Sequence, residues 1–470
     1  MDTKSALGHI ISAAVIIMLT TAGLIAQQSS APSSDNFTKY RTFLGAASAD
    51  RIPTVTLVLA DSYYNVAYTI GATSSLLIGT SKAAQVITRT TYHNQDYAEE
   101  TDENGAVSRD DGIHLKDLRT VEALITGRIA FDRPVAQSPM TTRVVVPGGW
   151  PVDLRIAGNG LMWEAIIHGT ENHLFRALKY SSVGNVKITT NWVLDGRNFR
   201  STGVQVADPR IDPPPDAQPD WQWLPMGASW SQAFVPYGNR PMIPISVNGV
   251  TSLCILDSGT GGIVLPLSLA AKANIQRIAL APVNGPASVF AASYGRADIT
   301  VGPAELRSAV VIVGPRSPGD YAACGYDFLA SFVVHVAKRT MTIAKRPVGA
   351  PPCDEYCVPV DTWEHTAVAN IRVGSVLVNQ ATLDTGLDGS LVLASSPLTS
   401  GDRRYPACDA HLSTVESLII GPVAVGLTPT CYAPLDATLD PTHRAQIGSA
   451  VLLRYRLELD LGNHEVRLDR

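Results

Sequence analysis

Short apolar runs of strand length, divided by turn residues, recur along most of this chain. In the N-terminal half, residues 121–131, 141–146, 152–156 and 186–192 read as strands. Pro147-Gly148-Gly149 and Gly158-Asn159-Gly160 supply turns between them. Residues 81–87 and 168–179 read as helices, and 96–111 as an acidic polar loop. In the C-terminal half, residues 243–247 and 252–256 read as a hairpin closed by Asn248-Gly249. An apolar run at 263–265 follows, then a short helix at 266–273 with Pro266 at its start. The pattern predicts a mainly β protein: an N-terminal β-rich α+β domain followed by β units.

The C-terminal half then repeats itself at a period of about 125 residues, too long for a solenoid. Leu256-Asp257-Ser258-Gly259-Thr260 has a counterpart in Leu383-Asp384-Thr385-Gly386-Leu387. In each copy an apolar strand delivers an Asp, a hydroxyl residue and a Gly, and a second apolar run leaves. The Gly is expected to permit a sharp turn behind the carboxylate, and the hydroxyl to hold nearby backbone. Each copy later carries an apolar stretch built around a Gly, at Gly325 and Gly448, and closes with an alternating hairpin, at 332–343 and 455–468. A single such triplet is ordinary turn chemistry, but turn chemistry does not require the same neighbours twice.

Composition narrows the function. Of 470 residues, 45% are apolar and 17% charged, which suits a folded rather than a disordered chain. A net charge of -5 leaves no basic footprint for nucleic acid. Residues 1–34 read as a signal peptide or N-terminal membrane anchor. Lys4 precedes an apolar stretch at 10–26, with cleavage expected near Ala26 or Ala31 and a membrane tether through 10–26 as the alternative. Export permits disulfides among the six cysteines. Cys408 with Cys431 is the expected pair, while Cys254, inside an apolar strand, reads as a small core residue. A Pro- and Asp-rich stretch at 208–220 reads as a stiff linker. The expected divisions are therefore an accessory domain at 35–207, the linker, and two units at 221–349 and 350–470.

The order strand, Asn-Gly turn, strand, Asp-(Ser/Thr)-Gly, apolar strand, Gly-centred apolar stretch and closing hairpin resembles the retropepsin-like aspartic protease family. The resemblance runs over 221–470 and occurs twice. It implies two retropepsin-like (acid protease) β-barrel units packed as a pseudo-dimer within one chain. Retroviral members take one unit from each of two chains, and pepsin-like members fuse two larger lobes. An intramolecular dyad implies a monomer acting on peptide or protein substrates. Asp257 and Asp384 would be the catalytic pair, supported by Ser258, Gly259, Thr260, Thr385 and Gly386. The resemblance also points to a covering hairpin at 286–301 with Tyr294-Gly295 at its tip, and to an equivalent interval at 403–417. No metal or organic cofactor is implied.

Two carboxylates facing one water resist joint ionisation and so share a proton. One then takes a proton from the attacking water while the other donates to the carbonyl oxygen. The Thr260 hydroxyl, facing Leu387 at the equivalent place, is expected to bias the charge to Asp257 and the proton to Asp384. Asp388 lengthens the second loop by a residue. The alternative is a non-catalytic peptide- or envelope-binding protein on a pseudo-protease scaffold. His168 and His173 read as surface or helix-end residues, having no third ligand at metal spacing. Trp150, Trp163 and Trp192 read as core of the first domain. There is no Gly-x-Ser-x-Gly elbow, His-Glu-x-x-His helix or phosphate loop to support a rival chemistry.

Overall fold

The computed structural model describes residues 35–45, 53–60, 64–81, 88–110, 112–127, 135–138, 140–169, 172–207, 210–214, 219–224, 227–284, 289–314, 320–346, 353–362, 365–394, 413–433 and 445–469. The leader at 1–34 lies outside them. Among the described residues no helix is long and apolar enough to cross a membrane. The protein is mainly β and divides into two compact units. One comprises Met1–Thr80, Thr90–Glu99 and Asp110–Pro214; the other comprises Ser81–Arg89, Glu100–Arg109 and Pro215–Arg470.

The first unit is an antiparallel meander. Strand Val55–Ala60 pairs with both Tyr64–Ile70 and Arg197–Val206, and the ladder continues through Val186–Leu194, Asn172–Val183, Met162–His168, Pro151–Ile156 and Thr141–Val145. Alternation places Val152, Leu154 and Ile156 inward along one strand. Trp192 is buried and stacks on Phe199, as core, whereas Trp163 is partly exposed under the Arg155 guanidinium. Besides Trp163, expected in the core, two further expectations fail here. The expected strand at 121–131 is in its first part the end of helix Ile113–Thr126, whose Leu115, Leu118, Val121 and Ile125 recur at helical spacing and are buried. Gly127, at φ +70, closes that helix in the left-handed conformation a C-terminal glycine supplies. The expected helix at 168–179 is a hairpin with Glu164 opposite Arg176, because cross-strand pairing and inward alternation override local helix propensity. His168 and His173 lie on that hairpin, paired to Asp153 and Asp195. Of the helix expected at 81–87, residues 82–87 lie outside the described residues.

The second unit contains the duplicated pattern as two similar halves. In the first, Arg240–Val247 and Val250–Leu256 form a hairpin through Asn248 at φ +48 and Gly249 at φ +80, values a type I′ turn requires. In the second, Val368–Val373 and Val376–Asp384 pair through Gly374 at φ +59. The strand entering each Asp then pairs in parallel with the strand before a short helix, Leu256 opposite Cys324 and Asp384 opposite Gly448. The strand leaving each Asp crosses back antiparallel to that same partner, Ile263 opposite Cys324 and Leu391 opposite Ile447. The closing hairpins, Phe332–Ala337 with Thr340–Lys345 and Arg456–Asp460 with Glu465–Asp469, share one sheet through Val334 opposite Leu459. One apolar core runs through both halves, including Leu256, Phe328, Leu383 and Leu452.

Cys254 is not a lone core residue but forms a disulfide with Cys324, and Cys353 pairs with Cys357. Cys431 is also disulfide-bonded, while Cys408 lies outside the described residues. The Cys254–Cys324 bridge spans 70 residues and ties two strands that already pair in parallel. Replacing both with Ala is expected to lower unfolding free energy by roughly 4 kcal/mol on loop entropy, read from denaturant midpoints at constant slope. A change under about 1 kcal/mol would place the constraint in strand pairing instead.

Candidate active site

The site is built by two loops that hold each other. Ser258 Oγ donates to Leu383 O at 2.5 Å, and Thr385 Oγ1 donates to Leu256 O at 2.8 Å. Reciprocally, Thr385 N–H donates to Ser258 Oγ and Ser258 N–H to Thr385 Oγ1, each at 3.1 Å. Each hydroxyl thus donates to and accepts from the other loop, and both side chains are buried. A further strut comes from Ala367, whose N–H donates to Ser258 O at 3.1 Å and whose carbonyl accepts from Leu383 N–H at 2.8 Å.

This lock brings the two carboxyls together. Asp257 is buried and Asp384 half-buried, with a hydrogen bond between them. Gly386 and Gly259 show why a side chain is absent beside each acid. A Cβ on Gly386 would lie 2.3 Å from Asp257 Cγ, and one on Gly259 would lie 2.6 Å from Asp384 Cγ. Both glycines lie in the expected turns, closed by Thr260 N–H to Asp257 O and Leu387 N–H to Asp384 O at 3.2 Å each, but neither has positive φ, so what rules out a side chain is the room the opposite carboxyl needs. Asp384 Oδ1 accepts from Gly386 N–H at 2.8 Å and Leu387 N–H at 3.0 Å, and Asp257 Oδ1 from Gly259 N–H at 3.2 Å.

Burial first, and the Asp257 charge second, push the Asp384 carboxyl from 3.8 to about 8, against the two backbone donors that pull it down. Burial and the neighbouring charge thus favour the proton on Asp384, a different cause from the Thr260 hydroxyl expected from the sequence. A raised acid binds a proton in the folded state that the unfolded chain has released. Its stabilisation is complete below the unfolded value of 3.8 and is lost as pH rises towards about 8. Melting temperatures across that window should fall more steeply for the native chain than for Asp384→Asn; parallel curves would mean Asp384 ionises normally.

The loops are also held from behind. Tyr326 N–H donates to Thr260 O at 2.8 Å, and Ser449 N–H to Leu387 O at 2.9 Å. Gly325 and Gly448 precede those donors, and a Cβ on either would meet a loop carbonyl at 2.2 Å. Thr260 thus enters the framework through its backbone. Asp388, the extra residue, docks on the first half: its Oδ1 accepts from Asn239 N–H at 2.5 Å, with Arg240 at 3.7 Å. Nothing in the local sequence pairs Asp388 with Asn239, since the contact spans 149 residues.

Tyr294 and Gly295 are not at a hairpin tip. They lie within strand Val289–Val301, where Tyr294 is opposite Ala279 and Ile312. The Tyr-Gly pair reads as a turn locally, but pairing on both sides and 2% exposure of Tyr294 make it sheet interior. The turn of that hairpin, 285–288, lies outside the described residues, as does 403–412 of the equivalent interval. The described His, Cys, Asp and Glu residues give one close group, Cys353, Cys357 and Glu465, and there the two sulfurs are already joined.

No family model matches the chain, and no curated protein matches it. Among solved structures it is similar to a retropepsin-like aspartic protease from Rickettsia conorii, at 18% identity and a TM-score of 0.21. That match covers 24% of this chain and 90% of that one.

Proposed function

We propose that this protein is an aspartic endopeptidase in which Asp257 and Asp384 activate one water between them. The observation that carries this is the mutual exclusion at the glycines: each loop leaves a gap that the other loop's carboxyl fills. Asp384, holding the proton, bonds the scissile carbonyl oxygen as Asp257 takes a proton from the attacking water. The proton gained passes on to the leaving amine, which returns the pair to one shared proton. Titration belongs to the pair, and the basic limb of the rate profile is expected near the raised value of about 8.

On this reading residues 221–349 and 350–470 are two retropepsin-like units forming a single-chain pseudo-dimer, so no second copy is needed for the site. The disulfides suit an oxidising compartment, which favours an exported protein. The test is cleavage of a denatured protein or peptide library by the full chain across acidic and neutral pH. Cleavage blocked by a statine-type mimic of the tetrahedral intermediate supports the reading. Cleavage insensitive to that mimic, or none at any pH, overturns it.

A further inference from the structure

Glu100–Arg109 falls early in the sequence yet belongs to the unit that carries the dyad. The expected acidic loop there is a built turn. Asp102 Oδ1 accepts from Asn104 N–H at 2.9 Å and Ala106 N–H at 2.8 Å, with Gly105 at φ +87. The Asn104 carboxamide pairs with the Val310 backbone in both directions, at 2.8 and 2.7 Å. Ala106 is 1% exposed within the apolar core of the unit. Tyr294 OH donates to the Glu103 carboxylate, and Tyr326 OH to Val107 O at 2.9 Å.

Two of its contacts reach the supports of the Asp257 loop. Asp327, whose N–H donates to Gly261 O at 3.2 Å, accepts from Asn104 Nδ2 at 2.6 Å. A Cβ on Gly262 would lie 3.5 Å from that same carboxyl. His365 donates from Nε2 to Ala106 O at 3.0 Å and stands two residues before Ala367, the strut on Ser258.

Asp327 is fully buried, and its Oδ1 meets no N–H or O–H donor among the described residues. The Asp102 carboxyl is its neighbour through Asn104, whose N–H donates to Asp102 Oδ1 at 2.9 Å while its Nδ2 donates to Asp327 Oδ2 at 2.6 Å. A single proton satisfies both acids. Asp102 already accepts two N–H groups, so the proton belongs on Asp327, whose carboxyl burial and then the Asp102 charge hold well above the usual range. Glu103, from the same turn, adds negative charge. The nearby cations are engaged: Arg346 with Asp460 at 2.9 Å and with Ala330 O, Arg89 with Glu100 at 3.4 Å and Glu103 at 3.5 Å. Glu100 in turn lies 3.9 Å from His365 Nδ1.

We propose that residues 100–109 are a proton-locked brace for the loop that carries Asp257. The Asp102–Asp327 pair holds the brace while it shares one proton and releases it when both carboxyls ionise. Its effect on cleavage rests on the aspartic-endopeptidase reading; the brace itself does not.

The test is backbone hydrogen exchange of residues 100–109 in the full chain at about pH 5 and about pH 9, corrected for intrinsic rates. Protection should fall in the native chain once the pair ionises, by a factor of about ten for each pH unit beyond that point, so the comparison is carried upward from about pH 9 for as long as the chain stays folded. In Asp327→Asn the amide donates to Asp102 without a titrating proton, so protection should stay level. Asp102→Asn provides the same non-titrating bond from the other side, should Asp327→Asn not fold. Equal protection of the native chain throughout that range, or a native-like fall in a folded variant, overturns the brace. In cleavage assays the basic limb near about 8 belongs to the Asp257–Asp384 pair and should stay in Asp327→Asn, while the further loss of kcat above it should be smaller than in the native chain, with KM little changed. A native chain that cleaves nothing but shows this exchange pattern counts against the dyad chemistry alone, and one that cleaves with level exchange counts against the brace alone.

Discussion

Asp257→Asn in the full chain is expected to lower kcat by at least about 10³-fold, with KM and melting temperature little changed. Asn fills the same volume in the gap left by Gly386, and its Oδ1 still accepts from Gly259 N–H, so packing has no reason to fail. What disappears is the charge able to take a proton from water. Asp384 loses the second cause of its raised titration and keeps the first, burial, so its carboxyl should titrate below about 8 in the variant but above 3.8. Carboxyl carbon chemical shifts followed through pH read this without any turnover. Turnover within about tenfold of the native rate would remove Asp257 from the chemistry and leave a peptide-binding scaffold as the better account.

What was legible in the chain was what is local and what is duplicated. The Asn248-Gly249 turn, the strands entering Asp257 and Asp384, and the short helix after Pro266 each follow from neighbouring residues. Helix Ile113–Thr126 reads as a strand over its second half because that half is rich in β-favouring residues, and its buried stripe only emerges when the window opens at Leu115. Contacts across long separations left no trace: Cys254 with Cys324, Asp388 with Asn239, Asn104 with Val310 and Asp327. Gly259 and Gly386 were found for an incomplete reason. A turn motif explains why glycine is tolerated after Asp-Ser or Asp-Thr, but only the opposing carboxyl explains why a side chain is not.

The same distinction separates two kinds of support in the site. The Ser258–Thr385 lock acts between halves and is symmetric, so each loop's position depends on the other's. The props behind the loops are unlike. The first half rests on Tyr326 and Asp327, with residues 100–109 behind them, and the second on Ser449, whose hydroxyl also donates to Leu387 O at 2.7 Å. A nearly symmetric pair of acids thus stands on an asymmetric base, consistent with one carboxyl of the pair holding the proton.

Gly386→Ala should show how tightly that pair is held. The backbone there does not need positive φ, so alanine is tolerated conformationally and the whole cost falls on the contact 2.3 Å from Asp257 Cγ and 2.5 Å from both its oxygens. Both partners are anchored, Asp257 by its strand and Gly386 by Thr385, so relief requires the carboxyls to separate. A displacement of about 1 Å at reacting groups is expected to lower kcat/KM by about 10²-fold or more. The hydrogen bond between the acids would lengthen with it, and the Asp384 titration should move down towards the ordinary range. Gly249→Ala is the control: at φ +80 with open space around it, alanine costs roughly 1 kcal/mol of backbone strain and should leave both kcat/KM and the pH profile alone. Should Gly386→Ala instead behave like the control, losing stability but not rate, the carboxyls would not be meeting where the lock of Ser258 and Thr385 puts them.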